Sequence, residues 1–228
     1  MTHHTNVVIA GASGVVGRRA LHYLLEFDDV GGVVALGRRT LPTQHDKLVS
    51  RVVDLRNKTA TAAEIADGTA VAICCLGTTL NTAGSKEAFR AVDHDAVVTF
   101  AEAAREKGAQ RFVLVSAVGA NPRARNFYLR TKGETEEALA RLDFAQLTVL
   151  RPSFIDDQGA REEYRPLERV TLPIARAVFA LIGTSRRYAP VSADTIGKAV
   201  VRLAFDDTLE RVRVVESEAL HAIGGDDK

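Results

Sequence analysis

The sequence predicts an α/β protein built on a doubly wound parallel sheet, with a small C-terminal substrate-side extension. Three observations carry that prediction. Short apolar, β-branched runs alternate with helical patterns along the first two thirds of the chain, and no hairpin dipeptide such as Asn-Gly joins them. The strand runs are almost continuously apolar, as strands covered by helices on both faces must be. The first run ends in the turn Gly11-Ala12-Ser13-Gly14-Val15-Val16-Gly17, followed at once by an amphipathic helix.

The elements follow in order. Asn6 to Ala10 reads as a buried strand, and Val16, Ala20, Leu21, Leu24 and Leu25 make the apolar face of a helix. Val33 to Leu36 and Val49 to Leu55 read as the second and third strands, with a short helix over Ala60 to Ala66. Ala70 to Leu76 is a fourth strand, closed by Gly77. Ser85 to Lys107 reads as one long helix stopped by Gly108. Phe112 to Ser116 is the fifth strand, Phe127 to Leu142 a helix, and Leu147 to Leu150 the sixth strand, stopped by Arg151-Pro152. Beyond it come an interrupted helix over 162–182, a helix over Val191 to Phe205 capped by Ser192, a strand over Arg211 to Val215 and a short helix over Ser217 to Ala222. No linker or repeat divides the chain, so residues 1–228 are expected to form one domain, with 153–190 as its small cap.

Composition narrows the function classes. The 228 residues carry 30 basic and 29 acidic side chains, net +1, which disfavours nucleic-acid binding by bulk charge. The N-terminus has no secretory pattern and no apolar run could span a bilayer, so the expectation is a cytoplasmic chain without membrane contact. Cys74 and Cys75 are adjacent, which suits neither a disulfide nor a zinc site, and they read as small buried hydrophobes. The histidines are too scattered for a metal site.

The glycine turn points to a dinucleotide. Gly11 permits the tight turn, Gly14 lets backbone approach a pyrophosphate, and Gly17 lets the helix pack on the sheet. Ser13, Val15 and Val16 complete the cradle at the helix N-terminus, where free N–H groups and the dipole favour phosphate. At the end of the second strand, where an acid would bond the ribose hydroxyls of NAD, stand Arg38 and Arg39. A guanidinium there suits a 2′-phosphate, so the expected cofactor is NADP(H). Asp54 is placed to reach the adenine amino group and Leu55 to flank the ring. The backbone of Leu76, Gly77 and Thr78 should pass the cofactor at the fourth strand's end.

Ser116 ends the fifth strand, and Tyr128 and Lys132 lie one helical turn apart on the next helix. Carbonyl reduction by hydride leaves an alkoxide that needs a proton. A tyrosine with a lysine beside it can supply that proton, the lysine lowering the tyrosine's pKa, and a serine can hold the substrate oxygen. His94, between two aspartates, reads as a solvated helix histidine rather than part of a relay.

With these residues in view, the chain resembles the short-chain dehydrogenase/reductase superfamily in its atypical or extended branch. More narrowly it is similar to the Tat-interactive-protein oxidoreductases and their bacterial relatives. The resemblance rests on residues 11–17, Leu36-Gly37-Arg38-Arg39, Cys74 to Thr79, Asn126 to Glu134, Arg151-Pro152 and Glu218 to Gly224. It implies a Rossmann fold, bound NADPH, a Ser116–Tyr128–Lys132 site, and cofactor contacts from Arg38, Leu76, Gly77 and the backbone at Pro152 and Ser153. Two places depart from the pattern. Val92-Asp93-His94-Asp95 stands where the superfamily often has asparagine, and Ser153 stands where many members have glycine.

The expected function is NADP(H)-dependent oxidation or reduction of a small carbonyl or alcohol. The alternative is an NADPH-binding sensor that signals to a protein partner with little turnover. A homodimer and a monomer both fit the sequence.

Overall fold

The computed structural model describes residues 4–156, 189–208 and 210–225. Seven parallel strands form its sheet: β1 (Thr5–Ala10), β2 (Val30–Gly37), β3 (Leu48–Val52), β4 (Val71–Cys74), β5 (Arg111–Val115), β6 (Gln146–Arg151) and β9 (Val212–Glu216), in the order β3-β2-β1-β4-β5-β6-β9. The order reverses between β1 and β4, so the carboxyl ends of these two strands open the crevice where doubly wound sheets bind ligands. A two-stranded parallel pair, β7 (Ile155–Asp156) with β8 (Val191–Ser192), stands beside the main sheet.

The helices among the described residues are α1 (Val15–Glu26), α2 (Lys58–Ala63), α3 (Leu80–Ala83), α4 (Lys86–Arg90), α5 (Ala96–Glu106), α6 (Phe127–Ala140), α7 (Ala193–Ala204) and α8 (Ser217–Gly224). Strand alternation splits the core in two. Val7 and Ile9 of β1 face α1, α7 and α8, packing with Leu24, Ile196, Val200 and Leu220. Val8 and Ala10 face the other way, toward Val97, Phe100, Leu139 and Phe144 on the side of α5 and α6. No helix among the described residues is long and apolar enough to cross a membrane.

Most element boundaries fall within two or three residues of expectation, and three differences matter. β3 ends at Val52 because Asp54 turns the chain, its side chain accepting from the Arg56 N–H at 3.1 Å. A short helix, α3, forms after β4, capped by Thr79, whose side chain accepts from Thr82 N. The single long helix expected over Ser85 to Lys107 is broken: α4 and α5 are separated by a π-helical turn, Ala91–Asp95. The helix expected over 162–182, and most of the cap expected over 153–190, lie outside the described residues.

Candidate active site

Each glycine of the first turn has a steric reason. Gly11 sits at φ +83°, and a Cβ there would lie 2.6 Å from the Cys75 carbonyl carbon and 2.7 Å from Leu76 N. The turn therefore rests directly on the end of β4. A Cβ on Gly17 would lie 2.1 Å from Gly11 O, so α1 can approach the turn only as glycine. Gly14 N donates to Gly11 O at 3.0 Å, and Gly14 itself is the N-cap of α1. That helix has no side-chain cap and no acid in its first turn, so its leading N–H groups remain to meet an anion. The cradle thus fits a dinucleotide pyrophosphate.

Beside the cradle lies a cavity of about 480 Å³. Ser13 opens it; Arg18 and His22 of α1 line one side, and Arg39, Thr40 and Thr43, after β2, line the other. Arg39 is therefore the member of the strand-end pair that faces the cavity, and Arg18 joins it from α1. Arg18 was readable in principle. It follows the turn directly, and i,i+4 spacing sets it on one helix face with His22.

The opposite side of the cradle meets a buried polar cluster. Asn126 caps α6, accepting from Leu129 N at 3.1 Å, and so aims Tyr128 and Lys132 from the helix's first turns. Tyr128 is half-buried, its ring 5.5 Å from that of the fully buried Phe89. Lys132 is buried, and its Nζ lies 2.7 Å from Oδ1 of Asp93, which is wholly inaccessible. Asp93 lies in the π-helical turn, and its carbonyl accepts from Thr135 Oγ1 at 2.9 Å. Asp93 Oδ2 accepts from Thr78 N at 2.9 Å. A Cβ on Gly77 would lie 3.6 Å from Asp93 Oδ1 and 3.7 Å from Lys132 Nζ. The loop expected to pass the cofactor is thus bonded to Asp93 and leaves room for no more than a methyl group before Lys132.

Burial works against the Lys132 ammonium, but Asp93 and Tyr128 outweigh it and raise the pKa above the ordinary lysine value. Tyr128 is also raised, first by burial, with Lys132 pulling down and Asp93 pushing up. This corrects the expectation of a lowered tyrosine. Lys132 acts in the predicted direction, but burial and Asp93 outweigh it.

A search against protein-family models matches residues 11–180 to an NAD(P)H-binding family. The chain belongs to the NAD(P)H-binding family. Curated relatives of this NAD(P)H-binding protein include Protein FMP52, mitochondrial, from Eremothecium gossypii, 33% identical over 93% of the chain and 94% of that protein. The protein of that name from Saccharomyces cerevisiae is 30% identical over 93% and 94%. The expected cytoplasmic location is overturned by these relatives, whose names place them in the mitochondrion. Among solved structures, MoeE5 in complex with UDP-glucose and NAD aligns with TM-score 0.68 and 18% identity over 96% of the chain and 80% of that structure. A UDP-glucose 4-epimerase from Thermotoga maritima aligns with TM-score 0.69 and 15% identity over 98% and 84%. These neighbours share the Rossmann-like fold expected of the short-chain dehydrogenase/reductase superfamily.

The remaining predicted residues of the NAD(P)H-binding protein fall in different surroundings. Val16 is buried under the turn, Val15 packs beside it, and Arg38 is exposed outside the cavity. Asp54 is exposed and held by Arg56 through hydrogen bonds of 2.8 and 3.0 Å, which keep its carboxyl below the usual range. Leu55 is turned into the core, and Leu76 packs against the same core. Pro152 O accepts from Val118 N at 2.9 Å, and Ser153 N donates to Ser217 Oγ at 3.1 Å. His94 pairs with Asp95 at 2.8 Å. The Cys74 thiol is pushed up to about 12 by burial, and Cys75 is raised too, so neither is an activated thiolate.

Ser116 has a partner that the sequence did not show. Its hydroxyl donates to Glu136 Oε1 at 2.5 Å, and Glu136 is gripped by Arg151, which also reaches Glu216 at 3.1 Å. Glu136 stands two helical turns beyond Tyr128 on α6, about 12 Å along the axis. The structure therefore joins Tyr128 and Lys132, adds Asp93, and leaves Ser116 in a separate network. Alternation sets Ser116 on the α6 side with Phe112 and Leu114, the side that also carries Tyr128 and Lys132; what it could not show is that Glu136, further along that helix, takes the hydroxyl.

Proposed function

We propose that the protein is an NADP(H)-dependent oxidoreductase of the short-chain dehydrogenase/reductase type that reduces a small carbonyl compound, with Tyr128 as proton donor. The observation that carries this reading is the bond from Thr78 N to Asp93, which in turn pairs with Lys132, so that the loop after β4 is tied to the Tyr–Lys helix. When bound, NADPH supplies the hydride. The phenol of Tyr128 delivers its proton to the substrate oxygen, and Lys132 partly offsets the rise that burial and Asp93 impose on that phenol. Lys132 is itself held in place by Asp93.

Arg39 and Arg18 on one cavity favour NADP(H) over NAD(H), because two guanidinium groups can bond a 2′-phosphate that a carboxylate would repel. The names of the relatives make the mitochondrion the compartment for this reading, which fractionation of cells expressing a C-terminally tagged chain checks.

The test is NADPH oxidation against a panel of small aldehydes and ketones. Tyr128→Phe should abolish turnover and leave the NADPH dissociation constant within about twofold, a few tenths of a kcal/mol. Turnover retained in that variant sinks the reading. The engagement of Ser116 by Glu136 favours a second reading, an NADPH-binding sensor with a protein partner. Tight NADPH binding with no turnover on any carbonyl selects it.

A further inference from the structure

Asp93 has more anchoring than a polar group on a helix needs. It is fully buried, with Oδ1 at 2.7 Å from Lys132 Nζ and Oδ2 receiving the Thr78 N–H at 2.9 Å. Its backbone carbonyl accepts a third contact, from Thr135. An asparagine of the same shape could receive the Thr78 N–H equally well. What an asparagine could not do is cancel the charge of Lys132.

That cancellation bears on Tyr128, one helical turn from Lys132. A lone buried ammonium within about 4–6 Å of an acid makes ionisation easier, by about 1–3 pKa units. A carboxylate 2.7 Å from that ammonium turns the cation into a compact neutral pair, whose field falls off much faster than that of a charge. Among the described residues, the groups facing the tyrosine are few. From α6 comes Lys132, from the π-helical turn Asp93, and from α4 the uncharged ring of Phe89. Cys74 of β4 faces Lys132 as a neutral thiol.

We propose that Asp93 is a positioning residue that holds Lys132 in a net-neutral buried pair, so that the Tyr128 hydroxyl keeps its proton through the neutral range and works as a donor. The site is thereby set to give a proton to a developing alkoxide rather than to withdraw one from an alcohol. The proposal rests on the reading of Tyr128 as the proton-transfer group, but its physical content can be measured without any substrate.

The experiment is NMR titration of protein labelled with ¹³C at tyrosine Cζ, with the Tyr128 resonance assigned by its loss in Tyr128→Phe. It is run with and without bound NADP⁺. Wild-type Tyr128 should titrate above the ordinary tyrosine value of about 10. Asp93→Asn keeps the acceptor for Thr78 N–H and should lower the midpoint by about one unit or more. The double variant Asp93→Asn/Lys132→Met swaps one neutral pair for another and should return Tyr128 near the wild-type midpoint.

An unchanged midpoint in a folded Asp93→Asn overturns the proposal. If that variant does not fold, the double variant decides. A silent Asp93 would leave only the loss of Lys132 to be felt, and Tyr128 would titrate clearly above wild type. The two readings fail separately. Expected midpoints without carbonyl turnover keep the role of Asp93 and discard the reductase. Turnover through Tyr128 with an unmoved midpoint does the reverse.

Discussion

Arg39 and Arg18 reach one cavity from two elements, and their division of labour is measurable. A charged hydrogen bond to phosphate is worth enough that Arg39→Ala should weaken NADPH binding roughly ten- to hundredfold. Arg18→Ala should act in the same direction. Neither should change the affinity for NADH, which has no 2′-phosphate to lose, and Arg38→Ala should do less because Arg38 lies outside the cavity. Dissociation constants for both nucleotides by calorimetry check this. Equal losses for NADH and NADPH would mean that the arginines support the loop rather than read the phosphate. Sequence position found the arginine pair but could not say which side chain turns inward. Tyr128 and Lys132 were readable because i,i+4 spacing fixes a shared face whatever the tertiary context. Asp93 was not, because its role depends on how the helix before it is wound.

At the scale of elements, the strands were readable because burial on both faces leaves a continuous apolar signature. The π-helical turn was not. The pattern from Ser85 to Lys107 is helical throughout, and its widening at Ala91–Asp95 comes with contacts made by another element, Thr135 and Lys132 of α6. Such a turn is a tertiary event written on a helical sequence. The α1 turn is the contrary case, since its steric demand is local. Gly17→Ala would set a Cβ 2.1 Å from Gly11 O, so α1 must lift away from the turn. The expected outcome is a loss of both thermal stability and NADPH affinity, read by melting temperature with and without cofactor. A variant that melts like wild type and shows the same NADPH-induced rise would refute the packing argument.

For the whole molecule, the buried charges are where stability and the site meet. The Asp93–Lys132 pair is out of water, so deleting one partner strands the other. Lys132→Met should cost about 3–5 kcal/mol in urea unfolding, whereas removing both charges together should cost much less. The pair also gives stability a pH dependence of definite sign. Lys132 has a folded pKa above its unfolded value, so the stabilisation is complete below the unfolded value of about 10.4. It is lost as pH rises through the higher folded value. Tyr128 adds to the same slope, since its raised pKa means that the unfolded chain releases this proton first. The urea midpoint of the wild type should therefore fall steeply above about pH 10 and stay level on this account near neutrality. The double variant Asp93→Asn/Lys132→Met should fall less over the same range, because only the tyrosine still titrates there. Identical alkaline slopes in the two proteins would show that the pair does not couple protonation to folding. The same titration bears on catalysis. Carbonyl reduction needs the phenol and should be level with pH until Tyr128 ionises, whereas alcohol oxidation needs the phenolate and should climb toward the same midpoint.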